Sequence, residues 1–348
     1  MPRFDAFLIV ALLGFCLSIV SVSGASWSPE LAARYLDARQ KAWFEWKPAA
    51  SVDGPCVSCH TGMTYLLARP ALRRALGETD PTMYERGLMD RLRANVGAKR
   101  PSALQEIEVI FTALFLADRS DKQAMDADVR KAFDQLWQLQ LQSGATKGAW
   151  RWYQANLDPW ENPDSSFYGA SLAALAVGTT TADYRRDVAV AERTGALVAF
   201  LQSSPTSPRS LHDRLAALWA SSRLPPAMPE AARQSLLAEV FARQSPDGGW
   251  AIASLGPWAA HADAPPAAGS DGYATAFVAF VLGKAGIPST HGGAARALDW
   301  LQSHQDPQTG VWPAKSMNKR YPPNSMEAFF MQDAATAFAA LALVEANR

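Results

Sequence analysis

Gln244-Ser245-Pro246-Asp247-Gly248-Gly249-Trp250, and then Asp271-Gly272-Tyr273-Ala274-Thr275-Ala276-Phe277, are the stretches that decide the fold. The first clusters Ser, Pro, Asp and Gly, which marks a turn. The second opens on an aspartate and runs into apolar residues at helical spacing. A carboxylate there accepts from free backbone N–H groups and starts a helix. An apolar helical run, Leu236–Phe241, precedes the turn. The unit therefore reads outer helix, Gln/Gly/Trp turn, Asp-capped inner helix.

Working outward, the unit recurs. Gln142 precedes Gly148-Ala149-Trp150, and Gln305 precedes Gly310-Val311-Trp312. The preceding helices also match, at Phe133–Trp137 and Ala297–Leu301. A degenerate copy, Ala196–Ser203, lacks the Gly-x-Trp. Asp333-Ala334-Ala335-Thr336-Ala337-Phe338 parallels the segment at Asp271, and Asp164 opens a looser version through Tyr168. Further helical periodicity covers Leu31–Trp46, Leu104–Ala117, Val129–Leu141 and Leu211–Leu218. Alternating strand patterns are scarce. The expectation is an all-α chain built from repeats.

These Gln-x(3–5)-Gly-x-Trp turns and Asp-x-x-Ala-Thr-Ala helices resemble the repeats of the squalene–hopene cyclase and prenyltransferase superfamily. The resemblance covers roughly residues 100–348. It implies an α/α toroid, an inner ring of helices inside an outer ring. It does not by itself imply activity. The cyclases of that family carry a proton-donating Asp-x-Asp-Asp-Thr-Ala cluster. In Asp271-Gly272-Tyr273-Ala274-Thr275-Ala276, Tyr273 and Ala274 stand where the second and third aspartates belong, so the acid is missing. Asp333 lacks it too, and a helix N-cap explains each remaining aspartate. Prenyltransferase β-subunits need a zinc site of Asp, Cys and His, which cannot be assembled here. The family's usual reactions are disfavoured.

The chain has 348 residues, about half of them apolar, so a large core can be buried. Its 33 basic and 33 acidic residues balance, which argues against a nucleic-acid partner. Arg3, the apolar run Phe7–Val22 and the small residues Ser23-Gly24-Ala25 describe a secretory signal over 1–25. The rest, 26–348, is expected to be a single toroid domain in the periplasm or outside the cell. Membrane association would arise only through an uncleaved signal.

Two cysteines remain after such a cleavage, in Cys56-Val57-Ser58-Cys59-His60. C-x-x-C-H is a c-type haem attachment pattern. Two thiols reach adjacent vinyl groups on one porphyrin edge, and the histidine turns beneath the ring to ligate iron. Cys56 and Cys59 would carry the thioethers of one covalent haem c, and His60 would be the proximal iron ligand. The attachment segment spans about 48–78. Tyr65, Leu66, Leu67, Leu72 and Leu76 form a stripe that either covers the porphyrin or is a helix's core face. Arg69, Arg73 and Arg74 are candidates to pair propionates. The sixth ligand is open among His212, His261, His291, His304, a methionine such as Met317, and water.

The leading function is an exported electron carrier or redox sensor with a redox partner protein. The alternative is a haem-dependent or cyclase-like enzyme acting on an apolar, isoprenoid-like small molecule in the toroid cavity. A third is a binding module with a structural haem. A cavity mouth is expected where the turns gather, and its candidates are Glu108, Trp160, Tyr168, His261, Asp271, Tyr273, Asn318, Lys319 and Asp333.

Overall fold

In the computed structural model, residues 27–347 are described apart from 52–53, 99–103, 121–123, 204–208, 260 and 267. The expected signal segment, 1–25, lies outside them. The described helices are α1 (Pro29–Glu45), α2 (Gly62–Ala75), α3 (Met83–Asn95), α4 (Gln105–Arg119), α5 (Ala127–Leu139), α6 (Ser166–Thr179), α7 (Ala182–Arg186), α8 (Val188–Gln202), α9 (Leu211–Ser221), α10 (Glu230–Ala242), α11 (Gly272–Lys284), α12 (Gly292–Ser303) and α13 (Phe330–Ala346). Among the described residues the only strands are Ala50–Ser51 and Gly54–Pro55, paired antiparallel. The chain is all-α.

Sequence sorts these helices into two rings. In α11 every residue from Gly272 to Leu282 is buried, and α6 is buried from Phe167 to Val177. A helix apolar all round must be surrounded. By contrast α5 buries only Val129, Ala132, Phe133, Leu136 and Trp137, the spacing of one helical face. It is an outer helix. Helix α13, with the turn before it, is long and apolar enough to cross a membrane, but it is largely buried inside the ring.

The inner ring runs α2, α13, α11, α9, α6, α4, each packed on the next. Arg119 of α4 donates to the Leu66 carbonyl of α2, closing it. Outer helices α5, α8, α10 and α12 pack behind α4, α6, α9 and α11, while α1 lies against α2 and α13. This is the expected α/α toroid. The inner helices are parallel. Tyr168, His212 and Tyr273, from the N-terminal ends of α6, α9 and α11, meet at one end. At the other end Lys284 pairs with Glu345, and Arg223 donates to Asp118 and Thr179.

The turns are the staples between repeats. Gln244 Nε2 donates to Gly248 O, across its own turn, and to Gly293 O on the next outer helix. Gln305 does the same to Gly310 O and Ser28 O, and accepts from Ser28 N at 2.6 Å. Because Ser28 caps α1, this last staple joins the first and last repeats. The third staple corrects the sequence reading. Its glutamine is Gln140, which donates to Gly148 O and Arg193 O, while Gln142 is exposed. The Gln-to-Gly distance is 8 residues there, against 4 and 5 in the other two turns, so the insertion hid the true partner.

Trp150, Trp250 and Trp312 are fully buried, and each indole N–H donates to a carbonyl of the preceding outer helix: Leu136, Val240 and Leu301. Gly148, Gly248 and Gly310 adopt positive φ and lie against the next outer helix. Thr275 and Thr336 accept from Trp250 N and Trp312 N, which explains the threonine of the Ala-Thr-Ala segments.

Candidate functional site

The Cys-Val-Ser-Cys-His segment joins outer helix α1 to inner helix α2. It occupies the place that a Gln/Gly/Trp turn fills in later repeats. Cys56 N donates to Ala49 O, and the Trp43 indole donates to Cys56 O at 2.8 Å. Ser58 Oγ accepts from Thr61 N and Gly62 N, while Met63 N donates to Ser58 O. These bonds wind residues 58–63 directly into α2. Cys59 and His60 therefore sit on the entry turn of an inner helix, at the same end as Tyr168, His212 and Tyr273.

His60 is buried among aromatic rings. Phe330 stacks on its face with centroids 3.5 Å apart and planes 18° apart. Trp43 meets it edge-on at 5.2 Å, and Trp160 lies at 6.2 Å. Burial, with Arg39 nearby, pushes the imidazole down to about 3, so it is neutral. Its Nδ1 lies 2.9 Å from Thr61 Oγ1, which donates to Asp333 Oδ2 at 2.7 Å. Asp333 Oδ1 accepts from Arg39 Nε at 2.8 Å and from Tyr35 OH at 2.9 Å. Burial pushes the Asp333 carboxyl up, and Arg39, Thr61 and Tyr35 oppose it.

Asp333 corrects a second expectation. It is not a helix N-cap, because α13 begins at Phe330, ahead of it. One residue fewer separates it from its threonine than separates Asp271 from Thr275. That difference turns it about 100° around the helix, away from the turn and towards α2. Asp164 is also not a cap: it is exposed, and Ser165 holds the N-cap position of α6. Asp271 does cap α11, accepting from Tyr273 N, Ala274 N and Ile252 N. Burial still pushes it up, to about 6.

Both cysteines are free thiols, Cys56 half-buried and Cys59 buried. Burial, then Glu108 against Arg91, pushes Cys56 up to about 11. Burial raises Cys59 well above its usual range, with Glu161 and Cys56 adding to it. Neither is an activated nucleophile.

The other expected mouth residues divide. Trp160 donates to Tyr273 OH at 3.1 Å, and Tyr273 OH lies 2.8 Å from His212 Nε2. Tyr168 stacks on His212 at 5.5 Å. Trp160 links this group to His60, its ring centroid lying 6.2 Å from the imidazole. His212, Tyr168, Tyr273, Phe277 and Phe338 are all 0% exposed, so the middle of the ring is filled at this level. Glu108 pairs with Arg91 near Cys56. Asn318 is structural, bridging the backbone N–H and carbonyl of Asp158. Lys319 is exposed over Tyr321, and His261 is half-buried in its loop.

Several haem-related expectations resolve as ordinary packing. Tyr65, Leu66 and Leu72 belong to the buried core of α2. Arg69 pairs with Asp37 and Glu78, and Arg73 with Glu85. His291 caps α12 and His304 stacks on Trp300, both in the outer ring. Sequence reasoning missed Thr61, Arg39 and Tyr35. The only local signal is the Thr next to His60; their common partner is nearly 300 residues away.

No family model matches the chain. No curated protein matches it either. Of solved structures, 13 chains match. One is ent-copalyl diphosphate synthase from Streptomyces platensis, at 17% identity and a TM-score of 0.31, covering 92% of this chain. This chain spans 50% of that one's length. A likeness at that score carries no argument about activity, and the ring is read from its own contacts.

Proposed function

We propose that this chain is an exported protein carrying one haem c on Cys56 and Cys59, with His60 as the iron ligand, and that it transfers electrons or senses redox state. The observation that carries the proposal is the bonding of His60. Thr61 gives its only hydroxyl hydrogen to Asp333, so its oxygen must accept from His60 Nδ1–H. Imidazole carries one N–H, and so Nε2 holds the free lone pair that a metal needs.

Two free thiols and a neutral imidazole are the donor set that the group needs. Phe330 covers the face of the imidazole, whereas the Nε2 lone pair points out in the ring plane. Phe330 and the edge-on Trp43 fix the orientation of the ring. Trp43, Trp160 and Phe330 supply apolar walls. Bound there, haem would supply a one-electron Fe(III)/Fe(II) couple, its potential set by burial and axial ligation. The signal segment read from residues 1–25 is consistent with this, because haem c is matured outside the cytoplasm.

The test is a pyridine haemochrome assay on protein expressed with its signal segment, after acid extraction. A haem that stays with the protein is expected, and Cys56→Ser with Cys59→Ser should release it. A wild-type protein with no covalent haem would overturn the proposal.

One observation favours the second reading, a small-molecule site inside the ring. Tyr168 OH, His212 Nδ1 and Asp213 Oδ1 are buried with no hydrogen-bond partner among the described residues. Against it stands the filled ring centre. Binding of a polyprenyl compound that quenches the fluorescence of Trp160 would support it.

A further inference from the structure

We infer that Asp333 is a positioning residue for the haem iron ligand, acting through Thr61, and that this relay is completed only where the first and last repeats of the ring meet. The inference rests on the haem reading above.

The relay spans three elements. Arg39 and Tyr35 come from outer helix α1, Asp333 from the last inner helix, and Thr61 and His60 from the turn into the first inner helix. Asp333 is 1% exposed, and both its oxygens are occupied. A buried carboxylate is costly unless it is paired and hydrogen-bonded. Arg39 provides the charge, and two hydroxyls complete the shell. An N-cap at this position would have been satisfied locally by backbone N–H groups. Instead the side chain reaches to residues 272 to 298 positions away, three of them donating to it.

The chemical consequence follows from direction. Thr61 Oγ1 is an acceptor towards His60 because it is a donor towards Asp333. Replace the carboxylate by a neutral amide, which can present N–H as well as C=O to Thr61, and the hydroxyl is no longer bound to donate to it and can donate to Nδ1 instead. The N–H then moves to Nε2, and the lone pair faces away from the metal position. With the relay intact, the carboxylate polarises Nδ1–H through the hydroxyl and makes Nε2 a stronger donor. A stronger donor favours Fe(III) over Fe(II).

Two readouts test this, one needing no haem. In full-length Cys56→Ser/Cys59→Ser protein labelled with 15N-histidine, His60 is expected to be protonated at Nδ1. Thr61→Val should lose that fixed tautomer, and Thr61→Ser should keep it. In the haem-loaded protein, Thr61→Val and Asp333→Asn should raise the ferrous-to-ferric ratio at fixed potential about tenfold, which is 59 mV for one electron. Thr61→Ser should stay near wild type. A purely structural role would move neither the tautomer nor the ratio. His60 protonated at Nε2 in the Thr61-containing protein, or equal potentials in wild type and Thr61→Val, would overturn the inference. Absence of covalent haem from wild type would remove the haem reading alone, since the tautomer measurement still decides the relay. If Asp333→Asn does not fold, the Thr61→Val and Thr61→Ser pair carries the test.

Discussion

Replacing Gly310 by alanine should open the seam of the ring, and a matched control isolates the effect. Gly310 and Gly286 have the same φ, +79°. A Cβ at Gly286 meets nothing within 4 Å, whereas one at Gly310 would lie 2.5 Å from the Leu31 carbonyl carbon and 2.6 Å from its Cβ. Gly286→Ala therefore bears only the left-handed backbone penalty, about 1 kcal/mol. Gly310→Ala bears that and must push α1 away, an overpacking strain of about 2 kcal/mol. It also loosens the Gln305 bonds to Ser28. The total is about 3 kcal/mol. For 348 residues, an unfolding entropy of about 2.1 cal/mol/K per residue makes 1 kcal/mol equal to ~1.4 °C. Thermal unfolding followed by circular dichroism should show losses of about 4 °C and about 1.4 °C. Equal losses for the two variants would refute the claim that the seam is held by close approach at Gly310.

Two further outcomes follow from the titrating groups. In haem-free protein the burial that raises Cys56 to about 11 should slow its alkylation at pH 8 by about two orders of magnitude relative to a free thiol, until denaturant is added; labelling at the free-thiol rate would contradict its placement. Asp271, raised to about 6 against an unfolded value near 3.8, holds its proton more tightly when folded. Its contribution is present below about pH 4 and is lost as the pH rises to about 6. Urea midpoints across that window should fall less with pH in Asp271→Asn than in wild type, and identical slopes would count against it.

Local chemistry made most of the ring legible. The Gly-x-Trp turns, the all-apolar inner helices and the cap at Asp271 are each decided by neighbours within a few residues. Helix α3 escaped notice because it is polar, although Thr82 and Glu85 form a reciprocal capping box at its start. The spacing points to Gln142 in place of Gln140, because a longer turn separates the true staple from its glycine. Around the site, the motif residues and Trp160, Tyr168 and Tyr273 could be named, since parallel inner helices bring their first turns to one end. The relay could not. Asp333 looks like one more cap until α13 is seen to start a turn early, and no local pattern links it to Thr61 or Arg39. The same limit applies to Asn318 and Lys319, neighbours in sequence with opposite burial.

The separation of Thr61 from Asp333 by 272 residues also sets a timetable. If the chain is exported N-terminus first, Cys56, Cys59 and His60 emerge ahead of the whole of that stretch. Throughout that interval Phe330 has not yet emerged to stack on His60, and the last inner helix has not arrived beside α2. Cys59, sealed in the finished ring, is on an open chain until then. Any chemistry on these thiols has its natural opportunity before the last helix docks, and docking then closes the site behind it.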